Sequence, residues 1–270
     1  MRFAKLHGAG NDFLLFDGRS DASLEAKLPP LVSRLCHRRF GLGADGVLLL
    51  QPEGDAEARL VYWNADGSEA AFCANATRCA ARFAADRWGW CEMVLVTGYA
   101  AIPAAVEGER VTLRLPAPTD VQPWRNLDVV GSTVTARYLV VGVPQVVVPV
   151  SWPDFSQRAL EPLAPALRSH PELGGGGANV NFTQVEAHQL AVRSWERGVE
   201  GETLSCGSGD VAAALVALAE GWVPAPAAVR TASGRVLVVE PEGAPPACPV
   251  RLSGPAEWVA EGTIACEFLR

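Results

Sequence analysis

The chain has 270 residues, 30 of them Asp or Glu against 23 Lys or Arg, for a formal net charge of −7 and a pI near 5.2. That balance excludes a broadly basic nucleic-acid binder, and 49% hydrophobic with 20% charged residues describes a globular chain with a sizeable core. The opening MRFAKLHGAGNDF holds no apolar run of leader length, and the most apolar segment, 138–150, is too short to span a bilayer and contains Pro144 and Pro149; a cytoplasmic protein with no membrane partner is expected.

Short strands broken by Gly, Pro, Asn or Asp dominate the pattern. They are predicted at 13–16, 47–50, 59–62, 94–97, 111–115, 136–141 and 190–195, and later at 236–240, 250–253 and 263–268. Helices are predicted within 21–40, interrupted at Pro29-Pro30, and at 75–88, 156–168 and 209–220. The second and fourth are rich in Ala and apolar around most of their circumference, so both should be buried. Four glycines, Gly174–Gly177, read as a flexible loop. The segment Gly41-Leu-Gly-Ala-Asp-Gly46 fits a dinucleotide fingerprint, but it follows a predicted helix (31–40) and precedes a strand. The fingerprint needs the opposite order, so a helix cap and tight turn is the reading.

An internal repeat organises the chain. Glu69-Ala-Ala-Phe-Cys73-Ala-Asn-Ala precedes one Ala-rich helix, and Glu202-Thr-Leu-Ser-Cys206-Gly-Ser-Gly precedes the other. The two cysteines lie 133 residues apart, about half the chain. Two similar domains follow, with the boundary near 116–123.

Seven cysteines in such a chain are expected to be reduced thiols. None form a CxxC pair, and Cys73 and Cys79 lack a His/Cys cluster at zinc spacing, so no metal is expected. Cys36, Cys91, Cys248 and Cys266 read as buried inert residues, and Cys79 as packed inside its helix. Cys73 and Cys206 differ because their surroundings are duplicated. A thiol at a helix N-terminus meets unpaired N–H groups and the positive dipole end, which favour thiolate. The same N–H groups bind carboxylates. Two such helix ends suit inversion of an amino-acid α-carbon: one thiolate removes the α-proton and one thiol returns a proton from the opposite face. Donors aimed at the carboxylate stabilise the charge that develops, and small residues after each cysteine let backbone approach closely.

At these residues the sequence closely resembles the diaminopimelate epimerase family over nearly its whole length. The resemblance is carried by Lys5-Leu-His-Gly-Ala-Gly-Asn11-Asp12-Phe13, Arg39-Phe-Gly-Leu-Gly-Ala-Asp-Gly46, Tyr62-Trp-Asn64-Ala-Asp-Gly-Ser-Glu69 and Cys73-Ala-Asn75-Ala-Thr-Arg78-Cys79. In the second half it is carried by Asn179-Val-Asn-Phe182, Glu196-Arg197-Gly and Gly201-Glu-Thr-Leu-Ser-Cys206-Gly-Ser208-Gly209. It implies an α+β fold of two pseudo-symmetric domains, each a β-barrel-like sheet wrapped around a central α-helix. The domains would be 1–117 with a returning C-terminal strand at about 258–270, and 118–257. It implies no cofactor and no metal, with a small amino acid as substrate held between the domains; a homodimer is a further expectation. Cys73 and Cys206 would be the acid/base pair. Backbone at Ala74, Asn75, Gly207 and Ser208 would hold the reacting carboxylate. Asn11, Asn64, Asn179 and Arg197 would hold the distal end, with Glu196 near the chemistry.

Where the family carries Gly-Asn-Pro-His, this chain has Gly142-Val143-Pro144-Gln145, losing an amide expected on the substrate and a titratable imidazole. Ala74 stands where the family has glycine. Three activities remain open: interconversion of LL- and meso-diaminopimelate for lysine and cell-wall synthesis, racemisation of another amino acid such as histidine or ornithine, and a non-catalytic ligand-binding or thiol-redox role. Two thiols serving one small ligand should also form a disulfide when oxidised.

Overall fold

The computed structural model describes residues 1–173 and 176–269, so Gly174 and Gly175 of the expected glycine loop lie outside the described residues. The chain divides into two compact units, Met1–Leu113 with Gly254–Arg270, and Arg114–Ser253. The sequence expectation set these divisions at 117/118 and 257/258.

The first unit runs β1 (Arg2–Gly8), β2 (Asn11–Asp17), α1 (Leu24–Lys27), α2 (Val32–Cys36), β3 (Gly46–Gly54), β4 (Glu57–Asn64), α3 (Ala74–Trp88), β5 (Glu92–Val96), β6 (Ala101–Glu107) and β7 (Arg110–Leu115). The second runs β8 (Arg125–Val129), β9 (Ser132–Val141), β10 (Val143–Pro149), α4 (Leu163–Arg168), β11 (Asn179–Glu186), β12 (Gln189–Glu196), β13 (Gly201–Thr203), α5 (Gly207–Ala219), β14 (Ala227–Arg230), β15 (Val236–Pro241) and β16 (Val250–Pro255). The chain then returns to the first unit as β17 (Glu257–Thr263).

The duplication seen in sequence is a duplication of topology. In the first unit the sheet order is β17-β1-β2-β3-β4-β5-β6-β7, paired antiparallel, antiparallel, parallel, antiparallel, parallel, antiparallel, antiparallel. In the second, β8-β9-β10-β11-β12-β14-β15-β16 follows the same succession. The parallel steps fall where a helical crossover intervenes: α1 and α2 before β3, α4 before β11, α3 before β5 and α5 before β14. The sheets wrap α3, which packs on β1 to β6, and α5, which packs on β9 to β12, β14 and β15. Small side chains permit this enclosure: Ala76, Ala80, Ala81 and Ala84 of α3, and Ala212, Ala213, Ala214 and Ala217 of α5, are inaccessible to solvent. On the outer faces, α4 adds a layer that includes Phe155, Leu160 and Leu167, and α1 and α2 add one that includes Leu24, Leu28, Val32 and Leu35.

Three predicted elements are corrected. Residues 163–168 alone are helical within 156–168, because Pro162 and Pro165 confine helix to a short run. The last strand is 257–263, and 266–269 forms a 3-10 turn. The helix before the glycine segment ends at Cys36 rather than at residue 40, and the chain turns through Gly43 at φ +71° into β3.

Candidate functional site: two helix N-termini capped by cysteine

Cys73 is the N-cap of α3 (φ −148°, ψ 116°) and Cys206 that of α5 (φ −110°, ψ 95°). Extended backbone at an N-cap releases its carbonyl to the first helical bond: the Thr77 N–H donates to Cys73 O at 2.9 Å and the Asp210 N–H to Cys206 O at 2.8 Å. Neither is followed by a bulky apolar residue; Ala74-Asn75-Ala76 and Gly207-Ser208-Gly209 form the opening turns. Each cysteine therefore stands at the positive end of a buried helix, beside N–H groups that the helix's own ladder does not use.

In the first unit the amides around Cys73 are oriented by charged groups. Asn11 donates from Nδ2 to Asp45 Oδ2 (2.8 Å), and a carboxylate only accepts. Oδ1 of Asn11 therefore faces the other way, where it receives Asn75 Nδ2 (3.2 Å) and the Cys73 thiol (3.7 Å). Asn75 is itself fixed by the fully buried Arg78, whose Nη2 donates to Asn75 Oδ1 at 2.6 Å. Asp45 belongs to a cluster in which Arg38 bridges Asp12 (2.8 Å) and Asp45 (2.7 Å) and Lys5 meets Asp12 (3.0 Å). Burial works to raise the Asp12 carboxyl, and the hydrogen bonds from Arg38 and Lys5 overcome it and hold Asp12 below the usual range. Asn64 ends β4, where its Nδ2 donates to Ser68 Oγ (3.0 Å) and the next N–H, of Ala65, to Asp45 O (3.1 Å).

In the second unit Asn179, the first residue of β11, points Nδ2 at Cys206 Sγ (3.7 Å). Its Oδ1 accepts the Arg197 backbone N–H at 2.8 Å, which fixes the amide orientation. The Arg197 side chain is exposed and reaches Gly176 O (3.4 Å). Glu196 Oε1 accepts the Thr203 hydroxyl (2.6 Å). Burial pushes the Cys206 thiol well above its ordinary range, Glu196 and Asp210 add to the rise, and the Gly209 N–H and the Ser208 hydroxyl oppose it. A thiolate formed here would be strongly basic.

Of the other cysteines, Cys79 is fully buried and burial pushes its thiol far up. Cys36 is pushed up to about 12, by burial first and then by Asp12 and Asp45. Cys91 and Cys266 are exposed, contrary to the expectation of buried residues, because they lie in a post-helix turn and the terminal 3-10 turn. Among the described residues no three His, Cys, Asp or Glu side chains converge as metal ligands, and no described helix is long and apolar enough to cross a membrane.

The structure thus joins Asn11 and Asn75 to Cys73, and Asn179 and Ser208 to Cys206. The sequence reading noted Gln145 only as the loss of an imidazole and did not single out Asp45, Asn181 or Ser194. Polar residues at 179 and 181 within an otherwise apolar strand were the available signal.

Comparison with known proteins gives the two cysteine-capped helices their context. The family profile described as diaminopimelate epimerase matches residues 3–100 and 137–258. The chain belongs to the diaminopimelate epimerase family. Curated diaminopimelate epimerases of Methanocella arvoryzae and Archaeoglobus fulgidus are 35% and 36% identical to it, each over 99% of this chain and 98% of the relative. That of Aquifex aeolicus is 38% identical over 89% of this chain and 90% of its own. The fold is also that of a Bacillus anthracis phenazine biosynthesis protein of the PhzF family (TM-score 0.72, 14% identity, 98% and 99% covered). A hydroxyproline epimerase from Agrobacterium vitis shares it as well (TM-score 0.70, 17% identity, 98% and 90% covered). The two-domain α+β architecture expected from sequence is thus the architecture found.

Proposed function

We propose that this chain is an isomerase that interconverts LL- and meso-diaminopimelate without a cofactor, Cys73 and Cys206 exchanging the α-proton as a thiolate/thiol pair. The observation that carries the reading is the twin placement of these cysteines as N-caps of the enclosed helices of two topologically matched units, in a chain whose full-length relatives are named diaminopimelate epimerase. Each thiol serves one face of the α-carbon. N–H groups at Ala74, Asn75, Gly207 and Ser208 take the reacting carboxylate, whose growing negative charge they stabilise. Asn11, Asn64, Asn179 and the Arg197 guanidinium take the polar distal end, and Glu196 stands near the chemistry. The reaction belongs to lysine and cell-wall precursor synthesis. A cytoplasmic location and a homodimer complete the proposal, the latter tested by sedimentation.

Val143 favours a second reading. At a position where the family carries Asn, it cannot offer a side-chain amide to a second carboxylate, which suits a distal group such as an imidazole or a single amine. Proton NMR in D2O with reduced protein and a panel of diaminopimelate isomers, histidine, ornithine, lysine and glutamate decides between them. Loss of the α-proton signal from diaminopimelate alone, slowed at least about 10²-fold by Cys73→Ser or Cys206→Ser, supports the first reading. Exchange on another amino acid replaces the substrate and keeps the two thiols. Exchange on none of them leaves the ligand-binding role.

A further inference from the structure

Gln145 is the middle link of a buried chain of hydrogen bonds that ends on a cysteine. Gln145 (β10) and Asn181 (β11) are wholly inaccessible, with Ser194 (β12) and Ser208 (α5) nearly so. Buried polar side chains are costly unless each donor and acceptor is matched. Here the amide links have a readable direction, because the chain begins at the Val146 carbonyl.

Asn181 Nδ2 lies 3.2 Å from Val146 O, a carbonyl that only accepts, so this end of the amide is the donor. Its second hydrogen goes to Gln145 Oε1 at 2.9 Å, and its Oδ1 accepts the Ser194 hydroxyl at 2.7 Å. With Oε1 toward Asn181, the other end of Gln145 is its NH2 group, which donates to Ser208 Oγ at 3.0 Å. Reversing Gln145 would set two NH2 groups against each other. Ser208 Oγ therefore accepts from Gln145, and its own proton is free to turn to Cys206 Sγ at 3.7 Å, where a thiolate can only accept. Packing supports the arrangement independently: a Cβ on Gly209 would fall 2.0 Å from Asn181 Oδ1, so the chain rests directly on the opening turn of α5.

We propose that Ser208 is a positioning residue for proton transfer at Cys206, held by Gln145, Asn181 and Ser194 so that its hydroxyl donates to the sulfur whenever Cys206 is the thiolate. This rests on the acid/base role of Cys206 proposed above. Around that sulfur the charged groups are Glu196 from β12 and Asp210 from α5, both of which disfavour thiolate; β10 and β11 present the uncharged Gln145, Asn179 and Asn181. A histidine in place of Gln145 would titrate, whereas the amide relay does not. It supplies a hydrogen bond to the anionic form without bringing in a second ionisation.

Ultraviolet titration of the thiolate, taken as a difference against Cys206→Ser in substrate-free protein, reads the effect directly. Ser208→Ala should raise the Cys206 midpoint by about one pH unit, and Ser208→Thr, which keeps the hydroxyl, should restore it. Gln145→Glu, close in shape, should raise the midpoint at least as far, since a carboxylate would capture the Ser208 proton. An unchanged midpoint in Ser208→Ala with retained circular dichroism overturns the proposal, as does a Ser208→Thr midpoint that follows Ala. The titration uses no substrate, so a failed substrate panel and a failed relay are separate results.

Discussion

Asn11 has a donor end and an acceptor end, and Asp45 claims the donor end. That one contact decides what Cys73 meets: an oxygen, toward which the thiol donates. Cys206 meets the opposite, an Asn179 NH2 group whose orientation the Arg197 N–H enforces. The two cysteines thus sit in matched backbone settings with side-chain neighbours of opposite polarity. Replacing Asn11 by Asp should place a carboxylate beside Cys73 and raise its thiolate midpoint, because a like charge disfavours ionisation; titration against a Cys73→Ser background measures it, and a lowered midpoint would contradict the arrangement. The cluster behind Asn11 has its own pH signature. Asp12 is held below the usual carboxylate range despite its burial, by Arg38 and Lys5. A depressed carboxyl adds stability that is complete above its ordinary value and lost as pH falls through the lowered one. Denaturant melts should therefore show Asp12→Asn less stable than the parent at neutral pH, with the gap closing in the acid range below about pH 4.

Among the elements, α3 and α5 show how much rests on residues without a side chain. α3 ends at Gly89, φ +77°, whose N–H closes on Ala84 O and Ala85 O; with open space around its Cβ position, Gly89→Ala should cost about 1 kcal/mol of backbone strain and no packing. Gly209→Ala instead meets Asn181, whose amide is pinned by three hydrogen bonds and cannot swing aside cheaply. A loss of about 1–3 kcal/mol, larger than at Gly89, is expected in paired thermal melts, together with a raised Cys206 midpoint as the relay is displaced. Both helices were legible in the sequence because an unbroken Ala-rich run between turn residues has one plausible conformation. So were strands such as β3, β4 and β12, through apolar runs bounded by Gly, Pro or Asn. β6 was hidden by Pro103 within it. β10 and β11 were hidden because burial on both faces removes the alternation that marks a strand, and because β11 opens with Asn179 and Asn181. The cysteines were legible through repetition. The amide relay was not, since a match of donors to acceptors exists only once β10, β11 and β12 lie side by side.

For the molecule as a whole, the repeat leaves one place in the first unit that local chain cannot fill. Its sheet needs a strand outside β1, the place β8 takes beside β9 in the second unit, and β17 supplies it after the entire second unit has been traversed. The pairing runs from Arg2↔Thr263 to His7↔Glu257 with a bulge at Lys5/Leu6. The same segment braces α3: Trp258 Nε1 donates to Asp86 Oδ2 at 2.6 Å and the Arg87 guanidinium lies 4.9 Å over the Trp258 ring, while Arg82 Nη1 donates to the carbonyl of Ala256, just before β17, at 3.1 Å. Removing residues 257–270 should therefore expose the β1 edge and loosen the helix that carries Cys73, while leaving β8 to β16 and their α4 layer intact. Hydrogen exchange read by mass spectrometry should show faster exchange across β1, β2 and α3 in the shortened chain and unchanged protection in β11, β12 and α5. Trp258→Ala in the full-length chain should give a milder form of the same pattern, confined to α3 and β17. Equal loss of protection in both units would mean that the second cannot fold without the first complete, and the repeat would then be a duplication of topology without independence of folding.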